Sequence, residues 1–396
     1  MTVQLTLRGL TPPGIQGSPQ LTPFIKWPGG KSYELPAIAA AAPPLTGRLI
    51  DPFVGGGSVL LATPPEVPAW ANDACADLAR LYTGATSSDA SFQQALESVA
   101  MAWNGFAGLG QLYEELAATF TGGDGHAVSS ILAAHAPAFR HLLDPAGPGL
   151  AELYVTRIEK DLPVKFERMR RVQTKMVALL SAPDLLANVE GAIRAAMYMA
   201  IRSRYNRYRL SGEWGHYRSA DFLFLREFAY AAMFRFNARD EFNVPYGGVS
   251  YNRKSLMSKV SLLFSEPMLE RLSATEWQCL DFEPFLDEVS PTHEDFVFVD
   301  PPYDSDFSAY DNMPFGWQQQ QRLQEILEGL PARVMVVIKD TPMIRRLYGS
   351  GRWNIFEAPK TYMWTIKSRN DREATHLTIT NYLPGSAQMA TRSGGH

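Results

Sequence analysis

"RLIDPFVGGGSVLLA" (residues 48–62) is the segment from which the fold can be predicted. An apolar run ends at Asp51, glycines occupy positions 55–57, and a second apolar run follows them. This order predicts a strand, a tight turn and a helix. Glycines let a ligand approach the backbone closely, and the first turn of the helix presents N–H groups without helical partners. The segment therefore predicts a cradle for a nucleotide or nucleoside, although a purely structural strand–helix turn would use the same residues.

The glycine spacing argues against a nicotinamide dinucleotide as the ligand. That fingerprint requires G-x-G-x-x-G, and Leu60 occupies the third glycine position here. The next apolar run, "VPAWANDAC" (67–75), ends near Asp73, 22 residues after Asp51. An acid at the end of the second strand can accept hydrogen bonds from both hydroxyls of a ribose. A surface acid is the alternative, but the two segments together favour a ligand that contains ribose.

The segment "DFVFVDPPY" (295–303) ends a predicted strand in an acid, two prolines and an aromatic ring. The carboxylate of Asp300 and the carbonyl of Pro301 only accept hydrogen bonds, so together they can hold both hydrogens of one exocyclic amine. The Tyr303 ring can stack on the ring that carries this amine. A rigid strand end would account for Pro301 and Pro302 but not for the acid and the tyrosine. The segment predicts a site for a planar, polar group at the strand tip.

Arginines and tyrosines alternate in "IRSRYNRYRLSGEWGHYR" (201–218), and further cations recur at helical spacing within residues 165–175. Cations that bind phosphates, interleaved with rings that stack on bases, are typical of a nucleic-acid surface. A solvated charged face is the alternative interpretation. The residues predicted to contact nucleic acid are Arg202, Arg204, Tyr205, Arg207, Tyr208 and Arg209.

The composition excludes several classes of protein. The chain has 396 residues, of which 46% are hydrophobic, enough for one large domain or two smaller ones. Its formal net charge of −4 excludes a bulk polycation but not a local basic surface. Two cysteines form neither a disulfide framework nor a zinc site, which suits a reducing cytosol. No apolar run approaches the length of a membrane span, and no secretory signal is visible.

Strand and helix patterns alternate near both ends of the chain, whereas residues 86–265 are mostly helical in pattern. The alternation predicts an α/β parallel sheet, and "ARVMVVIKD" (332–340) after an amphipathic helix (317–329) adds another helix–strand unit to it. Asp51 and Asp300 are about 250 residues apart. If both close the same crevice, the middle of the chain must form a lobe of its own.

At this point the residues match a known family. The chain resembles the Dam-type (D12, class α) DNA adenine-N6 methyltransferases, which use S-adenosylmethionine. The resemblance rests on "KWPGGK" (26–31), "DPFVGGGS" (51–58) and "DPPY" (300–303) in that order, because other amino-methyltransferase classes permute these motifs. The segments "EFNVPYG" (241–247) and "CLDF" (279–282) are also similar to the family.

The resemblance covers roughly residues 20–83 and 236–382. It leaves the extra length around 86–165 without an assignment. The segment "RYNRYRLSGEWG" (204–215) departs from the form associated with GATC enzymes, so no target sequence is implied.

The resemblance implies a Rossmann-like methyltransferase sheet with an inserted, mostly helical DNA-recognition lobe. Residues 1–85 and 266–396 would form the catalytic domain, and 86–265 the inserted lobe. Residues implied to bind the cofactor are Trp27, Lys31, Asp51, Phe53, Gly55, Gly57, Asp73, Asp281, Phe282 and Asp300. Among them, Asp73 would hold the ribose hydroxyls, and Asp281 and Phe282 would flank the adenine. The implied catalytic residues are Asp300, Pro301, Pro302 and Tyr303.

The implied reaction is transfer of a methyl group from S-adenosylmethionine to N6 of an adenine that is flipped out of double-stranded DNA. No metal and no membrane partner are expected. The expected setting is the cytoplasm of a prokaryote, or a phage-encoded enzyme, with or without a restriction nuclease. Three alternatives stay open: a cytosine-N4 methyltransferase, a DNA-binding protein that retains the fold without chemistry, and a nicotinamide-dependent enzyme.

Overall fold

The computed structural model describes residues 14–17, 21–87, 89–122, 125–174, 180–303, 315–361 and 373–384. Two compact units are formed. The first, called the sheet unit, combines residues up to Thr86 with those from Ser265 onward, and the second, called the helical unit, is Ser87–Phe264.

The sheet unit is built on seven strands, numbered here in chain order. They are Leu49–Asp51 (β1), Ala69–Asn72 (β2), Thr275–Gln278 (β3), Phe296–Val299 (β4), Arg333–Lys339 (β5), Asn354–Thr361 (β6) and Glu373–Thr380 (β7). Their order in the sheet is β3-β2-β1-β4-β5-β7-β6. Strands β1 to β5 are parallel, and β7 runs antiparallel between β5 and β6. The predicted α/β parallel sheet is confirmed.

The helices of the described residues are Leu35–Ala41 (α1), Ser58–Leu61 (α2), Ala76–Thr86 (α3), Ala90–Gly105 (α4), Gly110–Gly122 (α5), Gly125–Leu143 (α6), Leu150–Gln173 (α7), Ala182–Ser211 (α8), His216–Phe228 (α9), Leu256–Leu263 (α10), Glu266–Ser273 (α11), Phe282–Val289 (α12), Trp317–Gly329 (α13) and Pro342–Tyr348 (α14). Helix α13 has the bounds predicted for it. Helices α4 to α10 belong to the helical unit.

The core of the sheet unit explains why β4, the middle strand of the sheet, is apolar throughout. All four residues of β4 are buried, as expected for a parallel strand that is covered on both faces. Phe285 of α12 and Leu323 of α13 join Val297 of β4 and Val336 of β5 in one apolar cluster. Burial of this kind stabilises the sheet by about 25 cal/mol per Å² of apolar surface.

Two strands were not predicted from the sequence. Strand β3 is short and lies at the sheet edge, where one exposed side is compatible with polar residues such as Glu276. Strand β6 pairs with β7 over its full length and is the other edge. Of the two strands predicted within 362–382, β7 is described, and residues 362–372 lie outside the described part of the chain.

The strand order brings Asp51 and Asp300 to one place. Strands β1 and β4 pair directly, with β2 and β3 on one side and β5 on the other. Such a reversal of strand order opens a crevice beyond the carboxyl ends of the strands, where α/β proteins bind ligands. Asp51 ends β1 and Asp300 directly follows β4.

The helical unit is organised around α8, which packs along α7 and α9. Trp103 of α4 anchors its aromatic core, with its ring centroid 4.1 Å from that of Phe228. The guanidinium of Arg194 stacks on Trp103 and donates a 2.7 Å hydrogen bond to its carbonyl oxygen. The cation is therefore satisfied inside the unit.

Arg204 and Tyr205 are corrections to the predicted DNA-contacting set, because both side chains are fully buried. Arg204 donates hydrogen bonds of 2.9 and 2.6 Å to the carboxylate of Asp221, and one of 3.0 Å to the Ala146 carbonyl. Both side chains are buried because of the direction in which their positions on α8 face. Ile201, Arg204, Tyr205 and Tyr208 occupy positions i, i+3, i+4 and i+7 of α8, which lie on one face of the helix and are buried. These side chains stabilise the helical unit and are not available to a nucleic acid.

We expect Arg204→Ala to lower the free energy of unfolding of the helical unit by about 3–5 kcal/mol, because Asp221 would be left buried without its partner. Urea unfolding followed by circular dichroism measures this loss. The matched control is Arg207→Ala, an exposed position three residues along α8, for which a change within about 0.5 kcal/mol is expected. Equal losses in the two variants would contradict the structural role of Arg204.

Candidate active site

A single crevice at the carboxyl ends of β1, β2 and β4 collects every residue predicted to act in catalysis or cofactor binding. Its walls come from the segment before α1, the glycine turn after β1, the end of β2, the start of α12 and the segment after β4. All these elements belong to the sheet unit. The structure therefore brings the predicted set together, while the individual roles remain predictions.

The ammonium of Lys31 is the centre of this crevice. It lies 2.5 Å from Oδ1 of Asp300, and it donates hydrogen bonds to the Tyr303 hydroxyl at 3.0 Å and the Gly29 carbonyl at 2.7 Å. These partners use all three donors of a lysine side chain that is only 2% exposed. The turn that presents the carbonyl requires a positive φ of 79° at Gly29. Lys31 thus fixes the acid and the aromatic ring of the DPPY segment.

The glycine turn after β1 fits closely against Trp27. A Cβ atom on Gly55 would lie 2.6 Å from Cδ1 of the indole, and the φ of Gly55 is 48°. The amide of Gly55 donates to Oδ2 of Asp73 at 3.0 Å, and its carbonyl accepts from the hydroxyl of Tyr82 at 3.0 Å. Contacts with Trp27, Asp73 and Tyr82 therefore fix the conformation of the turn. Only glycine fits at this position.

Asn72 connects three strand ends and was not identified from the sequence. Its amide nitrogen donates to the carbonyls of Pro52 and Leu280, both at 3.0 Å, and its amide oxygen accepts from the Leu280 N–H at 2.8 Å. The next residue, Asp73, accepts from the amides of Gly55 and Cys75. Asn72 therefore sets the distance between the glycine turn and the start of α12. A buried asparagine at the end of an apolar strand is the signal that could have revealed it.

Asp51 lies at the floor of the crevice and is buried. Burial raises the pKa of this carboxyl well above its usual range, and the nearby carboxylates of Asp300 and Asp73 act in the same direction. The amide of Phe53 and the ammonium of Lys31 oppose this shift but do not cancel it. Burial thus disfavours the ionised form of Asp51 relative to an exposed carboxylate, and its Oδ1 accepts a hydrogen bond from the Phe53 amide.

An aromatic slot forms the other end of the crevice. The rings of Phe53, Phe282 and Phe315 lie 5.6–5.8 Å apart, centroid to centroid. The guanidinium of Arg322 stacks on Phe282 and forms ion pairs with Asp281 and with Glu283. The slot joins flat apolar surface to an acid whose position is fixed, which suits a planar base that carries an amino group.

Two further residues position the DPPY segment and were also missed. The buried side chain of Gln320 donates a 2.9 Å hydrogen bond to the carbonyl of Pro302. His376 packs edge-on against Tyr303, with 5.4 Å between ring centroids, and its Nδ1 lies 2.8 Å from Oε2 of Glu34. With the Pro302 carbonyl bound by Gln320, the Pro301 carbonyl is the candidate acceptor for a ligand.

The helical unit carries a polar groove between the second half of α8 and residues 237–243. Arg202 and Arg207 from the predicted DNA-contacting set line it, together with Asn206, Asn237 and Asn243. Arg207 is exposed, whereas the half-buried Arg202 donates to the Val244 carbonyl at 3.1 Å.

Two other members of the predicted set lie beside this groove. Tyr208 is largely buried, and the guanidinium of Arg207 lies 5.9 Å from its ring centroid. Arg209 contacts both carboxylate oxygens of Asp240. Arg202 and Arg207 are therefore the members of the set that face the groove.

The chain belongs to the D12 class N6 adenine-specific DNA methyltransferase family, whose pattern matches residues 27–104 and 168–363. It is 30% identical over 167 residues to the type II methyltransferase M.CviBI of Paramecium bursaria Chlorella virus NC1A, a match that covers 41% of this chain and 60% of that protein. It is 29% identical over 266 residues to the retron Ec67 DNA adenine methylase of Escherichia coli, covering 64% of this chain and 87% of the relative. The DNA adenine methylase of Escherichia coli K12 is 27% identical over 207 residues, covering 50% and 69%.

These matches confirm the enzyme class predicted from the sequence, a DNA adenine-N6 methyltransferase. Residues 105–167 fall between the two matched segments and outside the family pattern. The described part of the chain contains no group of three or more His, Cys, Asp and Glu side chains placed to bind a metal ion. None of the described helices combines the length and apolarity that crossing a bilayer requires.

We expect Lys31→Met to reduce methyl transfer to DNA about 100-fold, because Asp300 and Tyr303 both lose the group that fixes them. Incorporation of labelled methyl groups into DNA measures the loss, and circular dichroism checks the fold. Lys26→Met is the matched control: it changes a lysine of the same segment that does not line the crevice, and activity within about threefold of wild type is expected. Full activity of Lys31→Met would show that the ammonium of Lys31 does not contribute to methyl transfer.

Proposed function

We propose that this chain transfers a methyl group from S-adenosylmethionine to N6 of an adenine extruded from double-stranded DNA. The observation that carries the proposal is the arrangement of Lys31, Asp300 and Tyr303 beside the glycine turn, at the reversal of strand order. A crevice with these groups can hold a nucleoside-like cofactor and an exocyclic amine next to each other.

The crevice fits the chemistry of this cofactor. The Gly55 backbone packs directly against the indole of Trp27, and both line the crevice in which the cofactor would lie. Asp73 provides a carboxylate for the ribose hydroxyls, and the aromatic slot with Asp281 suits the adenine and its amino group. When bound, S-adenosylmethionine supplies a methyl group that is already activated by its sulfonium.

The acceptor is the weak partner in this reaction, because the N6 lone pair is delocalised into the adenine ring. Asp300 and the Pro301 carbonyl would accept its two N–H groups, which favours a more tetrahedral nitrogen with its lone pair directed at the methyl group. Lys31 fixes Asp300, and Gln320 holds the carbonyl of Pro302, the residue next to the Pro301 acceptor, so orientation is prepared before the base arrives. The N6 proton becomes acidic as the N–C bond forms. Asp300 would already accept a hydrogen bond from this N–H and is therefore placed to receive the proton.

The target base must leave the duplex, because N6 is engaged in base pairing there. Extrusion costs a few kcal/mol. Stacking on Tyr303 would offset about 1–3 kcal/mol of this cost. The Tyr303 ring is held by Lys31 and His376, so little rotamer entropy is lost when the base stacks on it.

Binding of DNA is assigned to the groove of the helical unit. Arg202 and Arg207 offer cations for phosphates, whereas the amides of Asn206 and Asn237 are hydrogen-bonded within the helical unit, to Phe242 and Glu241. Arg204 and Tyr205 are excluded from this surface by their burial.

Nucleoside mass spectrometry tests the proposal directly. Unmethylated plasmid is incubated with S-adenosylmethionine and either the intact protein or Asp300→Ala. We expect N6-methyladenine with the intact protein, a decrease of at least about 100-fold in the variant, and unchanged DNA binding by the variant. N4-methylcytosine would show that the target base is wrong. Cofactor binding without any methylated base would favour a DNA-binding protein that performs no chemistry.

The aromatic slot generates a second prediction. Arg322→Met should raise the Kd for S-adenosylmethionine about threefold to fivefold, because Asp281 loses the cation that orients it; the pair is partly exposed, so the effect is modest. The maximal rate at saturating cofactor should not change. Calorimetry with both S-adenosylmethionine and S-adenosylhomocysteine measures the affinity, and equal losses are expected because the two share the adenine. Arg346→Met, at an exposed position on α14, is the matched control, and a loss in that variant too would contradict the assignment.

A further inference from the structure

The first turn of α13 carries four successive glutamines, residues 318–321. Of these four, all of which the structure describes, Gln319 alone lines the crevice. Gln320 donates a hydrogen bond to the Pro302 carbonyl, and the two outer glutamines are exposed. The carboxamide of Gln319 is therefore the one in this run that a ligand of the crevice can contact.

The carboxamide oxygen of Gln319 is buried and accepts no hydrogen bond from the described part of the chain. A buried acceptor without a donor is unfavourable, and native structures contain few of them. The oxygen of Gln320 has the same property, but Gln320 lies outside the residues that line the crevice. An unsatisfied acceptor in the wall of a binding crevice points to a donor that the ligand supplies.

The position of Gln319 on α13 places it beside the aromatic slot. Arg322 follows three residues later, and positions i and i+3 lie on one face of an α-helix. The guanidinium of Arg322 stacks on Phe282, 4.4 Å from its ring centroid. Just before α13, the ring of Phe315 lies 5.8 Å from that of Phe282. Residues on both sides of Gln319 in the sequence thus belong to the slot or cover it.

The slot suits a base that carries an amino group, and such a group has two hydrogens to donate. Asp281 can accept one of them, but its Oδ1 already accepts from the guanidinium of Arg322 and the amide of Glu283. The side chain of Asp281 is also 46% exposed. An exposed acid discriminates weakly between bases with and without an amino group, because water replaces the missing partner. A second, buried acceptor would bind the other hydrogen and make the selection stricter.

On the basis of the proposed use of S-adenosylmethionine, we propose that Oε1 of Gln319 accepts the second hydrogen of the amino group of the cofactor's adenine, beside Asp281. This contact selects adenine as the base of the cofactor. A site that hydrogen-bonds a ligand N–H from a buried position rejects an analogue that lacks this N–H, because the acceptor then stays unpaired. Gln319 is therefore a residue that determines cofactor specificity.

Calorimetry with two ligands tests the contact. The ligands are S-adenosylhomocysteine and its analogue in which hydrogen replaces the amino group of adenine. Gln319→Met keeps the length of the side chain and removes the acceptor. We expect the variant to bind S-adenosylhomocysteine about fivefold to tenfold more weakly than the wild type, and to bind the analogue within about twofold of it, because the analogue has no donor for Gln319.

The matched control is Gln318→Met, the same change at the exposed position one residue earlier, and its affinities for both ligands should equal those of the wild type. Circular dichroism checks the fold of each variant. Unchanged binding of S-adenosylhomocysteine by Gln319→Met would overturn the contact and leave the proposed reaction intact. Equal losses for the two ligands would overturn the assignment of Gln319 to the amino group.

Methyl transfer is measured separately, so that the two proposals can fail independently. The expected difference between the two ligands without formation of N6-methyladenine on DNA would overturn the proposed reaction and leave the role of Gln319 intact. A slower methyl transfer by Gln319→Met at saturating cofactor, with unchanged affinity for S-adenosylhomocysteine, would place Gln319 at the target base and overturn its role in cofactor selection.

Discussion

The buried ammonium of Lys31 is the constraint on which the rest of the active site depends. A charge that is 2% exposed is stable only if its donors are satisfied, and the acceptors come from segments far apart in sequence. Tyr303, one of these acceptors, is 272 positions away along the chain. The ion pair with Asp300 therefore fixes the segment before α1 to the end of β4, and so closes one wall of the crevice.

The opposite wall is fixed by the side-chain amide of Asn72 and the carboxylate of Asp73. Asn72 joins the ends of β1 and β2 to the segment before α12. The side chain of Asp73 accepts a hydrogen bond from the Gly55 amide and so holds the glycine turn. These bonds form when the sheet folds. The entropy of ordering the crevice is thus lost during folding and not during ligand binding, which is the basis of preorganised binding.

The sequence was sufficient for the features that local patterns encode. The glycine turn and the DPPY segment predicted both the sheet and the crevice, because each motif combines a strand with the group at its tip. Asn72, Gln320 and His376 were missed because their importance comes from partners distant in the chain. Arg204 was wrongly assigned to DNA because composition does not reveal helix phase, and the phase of α8 turns this arginine towards Asp221.

The packing of α3 against α11 affects how chains of this kind can evolve. The helical unit leaves the sheet unit at the end of α3 and the chain returns at the start of α11, so neighbouring helices bracket the excursion. Insertion and replacement of a domain are best tolerated where the two connections lie close together. Recombination at these two points can therefore exchange the helical unit while the sheet unit and its crevice are inherited unchanged.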